Sequence, residues 1–518
     1  MGLEIVHDTL GRCAGHDDCV YVVGAHRGSE EHLPRTAFFV LQWMHCCPVV
    51  FCQAESLAQV VQYPVDIGEE LLTYAKEEPF AHILLAAHPT VGHTSALRAI
   101  GAELRARGHA TSFALMHVRI PFAAAWPAPV RAAVSLPKLI AAEGANVLKL
   151  NPSPRALWYA LQLPHAIGQK ELEIALALFT SGLVAQARRI AAHTLRIGAA
   201  VVVGDYLMPA ALLGACLARR PFVALYHSAL PFPATDAPPF GTVLPKSSQG
   251  SQEWHDAEAR LARMSTLFDQ QVARAAAQLH LPAPGTGLLT RPISPNLNLL
   301  ATAPVLEPGL LPLAGHVLMT GPCLRRPTPL NRLDPSLLNA LPARRPTVYI
   351  SLGTVFNGKP NVYRTLIAGA QAADASVIVS AGASEEALAD LRSSRVRIFQ
   401  QVPQVELLEH VDTVITHGGN NTVQECLAAA RPMVVIPFGG DQQANARRIE
   451  RLGVGVAIPA NDLTLACVRD ALMRTFGIQV IERARRVSQA LGSYGGACAA
   501  ADGILALAAA PVNFPHNK

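Results

Sequence analysis

Short runs of consecutive apolar residues recur along most of this chain, each closed by glycine, proline or a polar residue and followed by a segment with helical spacing. The first clear one spans 81–87. Pro89, Gly92 and His93 close it, and a helical pattern from Ser95 to Arg107 follows and stops at Gly108. Similar runs lie at 199–203, just before Gly204 and Asp205, and at 223–226, with helical stretches such as 171–197 between them. A second series starts beyond a proline-rich, aperiodic segment: 347–351, 376–380, 396–399, 413–416 and 433–437, with Gly353, Gly382 and the pair Gly418-Gly419 at strand ends.

Strands alternating with helices predict an α/β fold with parallel sheets. Two series predict two Rossmann-like, doubly wound domains in tandem, facing across a cleft, with ligands beyond the carboxyl ends of the strands. The boundaries read from the pattern are an extension at 1–80, a first domain at 81–325, a linker at 326–344, a second domain at 345–480, and a terminal helix and tail at 481–518.

Composition narrows the function classes. Of 518 residues, 50% are hydrophobic and 16% charged, which excludes disorder and leaves ample apolar surface for two cores. A net charge of +5 is too small for a basic nucleic-acid footprint on a chain of this length. The charge is uneven: residues 1–80 carry −8 and the remainder +13, and the first 80 hold five of the ten cysteines. The spacing of Cys13, His16, Cys19, His45, Cys46, Cys47 and Cys52 fits no standard zinc pattern, so no metal is assigned. No apolar h-region follows a basic start, and the apolar run 37–52 is short and interrupted. The expectation is a cytoplasmic chain without a secretory signal or membrane span.

The stretch with most chemistry runs from Gln401-Val402-Pro403-Gln404 through His417-Gly-Gly-Asn-Asn-Thr422-Val-Gln-Glu425 to Asp441-Gln442. A strand ends at Thr416, two glycines turn the backbone, and a helix begins near Asn421 or Thr422. Such a helix start presents free N–H groups and the positive end of the helix dipole, a site for phosphate. Glu425, one turn later, can accept two hydrogen bonds from vicinal hydroxyls. A capped helix behind a Gly-rich turn would account for the glycine pair alone; the full set at these spacings is more specific.

These motifs resemble the UDP-dependent glycosyltransferases that include plant secondary-product, animal glucuronosyl and bacterial macrolide enzymes, over roughly 81–505 and most closely over 345–460. The resemblance implies a GT-B fold whose last helix crosses back to the first domain. It implies that His417, Gly419, Asn421 and Thr422 hold the diphosphate, Glu425 the ribose, and Asp441 with Gln442 the hydroxyls of the transferred sugar. Gln401 replaces the tryptophan that stacks on uracil in plant members, leaving backbone groups of Val402 to read the uracil edge; Gln404 belongs to the same donor-binding set. Gly353 and Thr354 match a loop near the donor phosphates.

At the other end of the chain His93 matches the family's catalytic base and Asp205 the acid that orients it. An imidazole titrating near neutrality suits proton removal. The segment 157–184 reads as core helices; in the resembled family this region lines the acceptor pocket and approaches membranes, so peripheral contact at the inner membrane face is part of the expectation.

The function read from the sequence is inverting transfer of a hexose, glucose first, from a UDP-sugar co-substrate to a hydroxyl on a hydrophobic small molecule or lipid. No cofactor or metal is called for, and no Asp-x-Asp motif occurs. Two alternatives on the same fold are a UDP-sugar epimerase and a non-catalytic protein that binds nucleotide sugars.

Overall fold

A computed structural model describes three short strands within residues 10–40, and residues 80–510 apart from 118–127, 163–168, 327–344 except Leu333, short stretches within 229–247, and 308, 314, 354–355 and 440. The chain divides into two compact units, 1–76 and 77–518. In the first, β1 (Leu10–Arg12), β2 (Val20–Ala25) and β3 (Phe38–Val40) form an antiparallel sheet in that order. The cysteines and histidines considered there as metal ligands, and nearly all of the 326–344 linker, lie outside the described residues.

The second unit contains two parallel sheets. The first is built from β4 (His82–Ala87), β5 (Ala110–Met116), β6 (Asn146–Leu150), β7 (Val201–Asp205), β8 (Phe222–Tyr226), β9 (Leu297–Leu300) and β10 (Val317–Met319), in the order β10-β9-β8-β7-β4-β5-β6. The second comprises β11 (Thr347–Ser351), β12 (Ser376–Ser380), β13 (Val396–Phe399), β14 (Thr413–Thr416), β15 (Met433–Val435) and β16 (Gly455–Ala457), in the order β13-β12-β11-β14-β15-β16. In each, the chain starts in the middle, winds outward to one edge, then returns to the other side of its first strand. The order therefore reverses between β4 and β7, and again between β11 and β14. Connections leave these neighbouring strands toward opposite faces, which opens a crevice at their carboxyl ends.

Alternation fixes which residues face which layer. Leu84 and Ala86 of β4 join one buried cluster with Met208, Leu213 and Phe268, while Ile83, Leu85 and Ala87 join another with Leu97, Ile100 and Ile504. Both faces are covered, as a parallel sheet requires. Each fully buried Leu, Ile or Val contributes about 1.5–3 kcal/mol of transfer free energy.

The last helix among the described residues, Ala497–Ala509, packs on this first sheet. Ala500, Ala501, Ile504 and Leu505 are buried against α1 (Val91–Ala106), and Arg107 pairs with Asp502 and donates to the Cys498 carbonyl at 3.3 Å. The run Ile478–Ala509 is long and apolar enough to cross a bilayer by length and composition. Its second half is this helix, whose apolar face is taken up by the first sheet.

Candidate active site

The first half of the site lies at the β4/β7 reversal. Pro89 cannot continue β4, and the Thr90 hydroxyl accepts from the His93 N–H at 3.3 Å, capping α1. The helix therefore begins at Val91 rather than Ser95, and His93 stands in its first turn instead of on the preceding loop. That correction matters, because a helical backbone and a cap fix the direction of the imidazole.

The Nδ1 of His93 contacts the Oδ2 of Asp205, the last residue of β7. Asp205 is fully buried, and its Oδ1 accepts from the Leu207 N–H at 2.9 Å and lies 3.4 Å from His227 Nε2. Burial alone would raise this carboxyl; the two imidazoles overcome it and hold Asp205 well below the usual carboxylate range. With Nδ1 bound to the acid, Nε2 is the nitrogen left to accept a proton. The His93 side chain keeps 19% of its surface exposed, enough to be reached from the cleft. His93, Asp205 and His227 also bring ligand atoms within 4.8 Å of one another. The direct contact of Nδ1 with the carboxylate is that of an acid–imidazole pair.

An aromatic wall closes the pocket behind the pair. His88 stacks on Phe179 at 4.1 Å, and Phe179 meets the His93 ring edge at 5.5 Å. Burial, with His93 adding to it, pushes His88 down to about 4, so His88 is neutral and donates Nε2–H to the Leu207 carbonyl at 3.0 Å. Phe179 ends the helix Gln169–Phe179. The single helix expected over 171–197 is broken there: Gly182 adopts φ +79°, and the hydroxyls of Thr180 and Ser181 bond back to the carbonyls of Leu176 and Ala177.

The second half lies at the β11/β14 reversal. Gly353 follows β11 with φ +71°, and a Cβ there would sit 2.5 Å from His417 Cε1; one on Gly419 would sit 2.6 Å from His417 Nε2. The imidazole is thus wedged between two glycines. Burial lowers His417 to about 4, so near neutrality it offers an N–H without a charge. The helix Asn420–Ala428 starts one residue before the expected Asn421, with Gly419 at its cap position and no side chain bonding its first N–H groups. Thr354 lies outside the described residues.

Gln404 accepts from the Tyr349 hydroxyl at 3.1 Å and donates to Thr422 Oγ1 at 3.2 Å and Glu425 Oε2 at 2.6 Å. Both its N–H bonds and its carbonyl have partners inside the domain, so Gln404 orients Thr422 and Glu425. Glu425 is buried, and burial raises its carboxyl while Gln404 and Arg325 act against that rise. Val402 packs partly buried against an apolar cluster. Gln442 accepts from the N–H groups of Phe438 at 2.8 Å and Gly439 at 3.2 Å, leaving its amide nitrogen as the donor that can face a sugar. Beside it, Asp441 is raised by burial and drawn down by His227.

Three amide side chains from the start of the Asn420 helix reach the first domain. Asn420 donates to the His227 carbonyl at 2.7 Å, Asn421 to the Gly92 carbonyl at 3.3 Å, and Gln424 to the Ala301 carbonyl at 2.6 Å. The structure thus brings His93, Asp205, Asn421 and the start of the phosphate-type helix to one cleft. His227, Phe179, Asn420 and Gln424 escaped the sequence reading. His227 carried a usable signal: it directly follows the apolar run 223–226, at the carboxyl end of a strand, where Asp205 also sits.

Residues 336–479 match the family model described as UDP-glucoronosyl and UDP-glucosyl transferase. The NDP-glycosyltransferase YjiC of Bacillus subtilis (strain 168) is 36% identical over 156 residues, 30% of this chain and 40% of that protein. The oleandomycin glycosyltransferase of Streptomyces antibioticus is 31% identical over 159 residues, 30% of this chain and 37% of its own. The chain thus aligns with about two fifths of the length of these curated relatives. Among solved structures, the glycotransferase of kitacinnamycin superposes with a TM-score of 0.59 at 22% identity, covering 83% of this chain and 99% of its own. CalG4, the calicheamicin glycosyltransferase, gives 0.57 at 22% identity, covering 83% and 98%. The fold is GT-B.

Proposed function

Taking as premise that this chain, through residues 336–479, belongs to the UDP-glycosyltransferase family, we propose that it is an inverting glucosyltransferase that passes glucose from UDP-glucose to a hydroxyl of a hydrophobic natural product. The observation that carries this reading is the His93–Asp205 pair at one sheet reversal, facing the uncapped start of the Asn420 helix at the other. Nε2 of His93 takes the acceptor's proton as its oxygen attacks the anomeric carbon from the side opposite UDP. Asp205 stabilises the imidazolium that forms. As the bond to the diphosphate breaks, charge develops on its oxygens, and the N–H groups of the Asn420 helix, the Thr422 hydroxyl and the His417 N–H are the donors placed to stabilise it. These donors do the work a metal would otherwise do, so the reading needs no cofactor.

Glu425 accepts the ribose hydroxyls through the oxygen not engaged by Gln404, and Asp441 with the Gln442 amide holds the sugar. Phe179 and the neutral, stacked His88 give the acceptor side an apolar wall, which supports a hydrophobic alcohol. The test is incubation of the purified chain with UDP-glucose and a panel of terpenoid, phenolic, macrolide and sterol alcohols, read by product mass. A glucoside whose formation vanishes in His93→Ala is the expected result. UDP-sugar turnover without any acceptor product would point to an epimerase instead.

A further inference from the structure

One buried guanidinium stands where the chain crosses between the two domains. Beyond β9 the chain passes from one core to the other within two residues: Ala301 is buried with Leu299 and Ile504, and Ala303 with Val423 and Ile449. A 3₁₀ turn, Pro304–Leu306, follows and meets the helix Gln442–Leu452. Arg448 of that helix is 5% exposed. Its Nε donates to the Leu306 carbonyl at 3.0 Å, its Nη2 pairs with Glu307, and its Nη1 donates to Asn445 Oδ1 at 2.9 Å. Glu307 is held in turn by the Thr302 hydroxyl at 2.9 Å, and Arg451 donates to the same Leu306 carbonyl at 3.0 Å.

Asn445, fully buried, carries the contact onward, because its Nδ2 donates to the Gly418 carbonyl at 2.9 Å. Gly418 lies in the turn before the Asn420 helix, with φ +88°. A Cβ there would sit 2.7 Å from Val435 Cγ1 and 3.2 Å from the Gln442 carbonyl oxygen, so glycine is what lets the turn lie against the helix Gln442–Leu452. A guanidinium has donors only. Asn445 must therefore turn its oxygen to Arg448, which leaves its nitrogen as the donor for Gly418. A flipped amide would set donor against donor on one side and oxygen against oxygen on the other. Nη1 also lies 3.4 Å from Asn420 Oδ1, and the nitrogen of that amide donates to the His227 carbonyl, which is the same choice of face.

We propose that Arg448 is a positioning residue for the transfer step: through Asn445 it holds the turn at Gly418, and with it the N–H groups that open the Asn420 helix, in register with the segment following β9. This rests on the transferase reading, which gives those N–H groups their ligand. All three nitrogens of the guanidinium are engaged inside the protein, so its effect is indirect. Charge grows on the diphosphate oxygens as their bond to the sugar breaks, so displaced donors weaken the transition state more than the bound ground state. Lysine keeps the charge but lacks the planar fork that reaches Leu306, Glu307 and Asn445 together.

The experiment compares wild type, Arg448→Lys, Asn445→Ala and the double variant, each as the full chain. A thermal melt, steady-state transfer to the alcohol found in the panel, and calorimetric UDP binding are measured for each. Either single substitution should lower kcat roughly tenfold or more and change the UDP Kd less than about threefold. The double variant should be no slower than Asn445→Ala alone, because the two side chains act in series. A folded Arg448→Lys with wild-type kcat overturns the proposal. So do losses that multiply in the double variant, or a loss confined to UDP affinity, which would make Arg448 a donor ligand. If Arg448→Lys does not fold, Glu307→Gln, which leaves the guanidinium an acceptor without the charge, enters the same cycle with Asn445→Ala and decides in its place. A wild type that binds UDP yet glucosylates no alcohol fails the transferase reading and takes the proposal with it, whereas an active wild type puts the proposal alone to the test.

Discussion

Asn421 donates its side-chain amide to the carbonyl of Gly92, the residue immediately before His93, at 3.3 Å. The helix proposed to receive the leaving diphosphate is thereby joined to the turn that aims the proposed base. If this link positions His93, Asn421→Ala should lower kcat roughly tenfold while UDP affinity changes little, since a 1 Å misplacement is felt in the reaction more than in binding. A large loss of UDP affinity with kcat preserved would instead make Asn421 a diphosphate ligand. Steady-state kinetics beside UDP titration separates the two.

The base itself can be removed. His93→Ala should cost roughly two to four orders of magnitude in turnover and leave UDP binding nearly intact. Asp205→Asn should fold and lose most of the rate, because the imidazolium would lack its counter-charge. Near-normal turnover in either variant takes that residue out of the mechanism.

Donor choice is tested through Glu425. A buried carboxylate already bonded by Gln404 has one oxygen left for the ribose, and deoxyribose would leave it short of a partner at a cost of ~1–3 kcal/mol. UDP should therefore compete better than deoxythymidine diphosphate, and Glu425→Ala should erase the difference. An unchanged preference after the substitution removes Glu425 from ribose recognition.

His88 gives a prediction for acid stability. Its folded pKa, about 4, lies below the ordinary value of 6.5, so as pH falls the unfolded chain takes up this proton first. The stability contributed by neutral His88 is whole above about pH 6.5 and drains away towards pH 4, up to about 3 kcal/mol. Urea unfolding across that range should show a shallower loss for His88→Gln, which keeps a donor for Leu207. Parallel curves would show that another group titrates.

Residues 1–76 form a unit of their own. A chain starting at Glu77 should bind UDP as the full chain does. Loss of binding by a folded truncation would show that the segment supports the donor domain.

Much of this arrangement was legible in the sequence where strands are apolar throughout. Thr347–Ser351, Ser376–Ser380 and Thr413–Thr416 fall where the pattern places them, because strands buried on both faces leave runs with little else to be. Strands that break this rule were missed. Ala110–Met116 opens with Thr111 and Ser112, whose hydroxyls bond Arg105 and His82, and Asn146–Leu150 is an edge strand with exposed polar positions. The site residues were legible as motifs, but their use was not. Nothing in the sequence shows that Gln404 bonds Tyr349, Thr422 and Glu425, which lie at distant points of the chain. His227 was invisible for a related reason, since Asp205 meets it from a distant point in the chain.

The last helix among the described residues, Ala497–Ala509, follows the second half in the chain yet completes the apolar layer of the first. Anyone recombining acceptor and donor specificities between this protein and a relative therefore cannot cut once. A hybrid joined only near residue 345 would pair α1 with a foreign terminal helix and replace the Arg107–Asp502 contact with an untested partner. Transplanting the donor half as a cassette needs two junctions, the second near Tyr494, so that each acceptor half keeps the helix it was packed with.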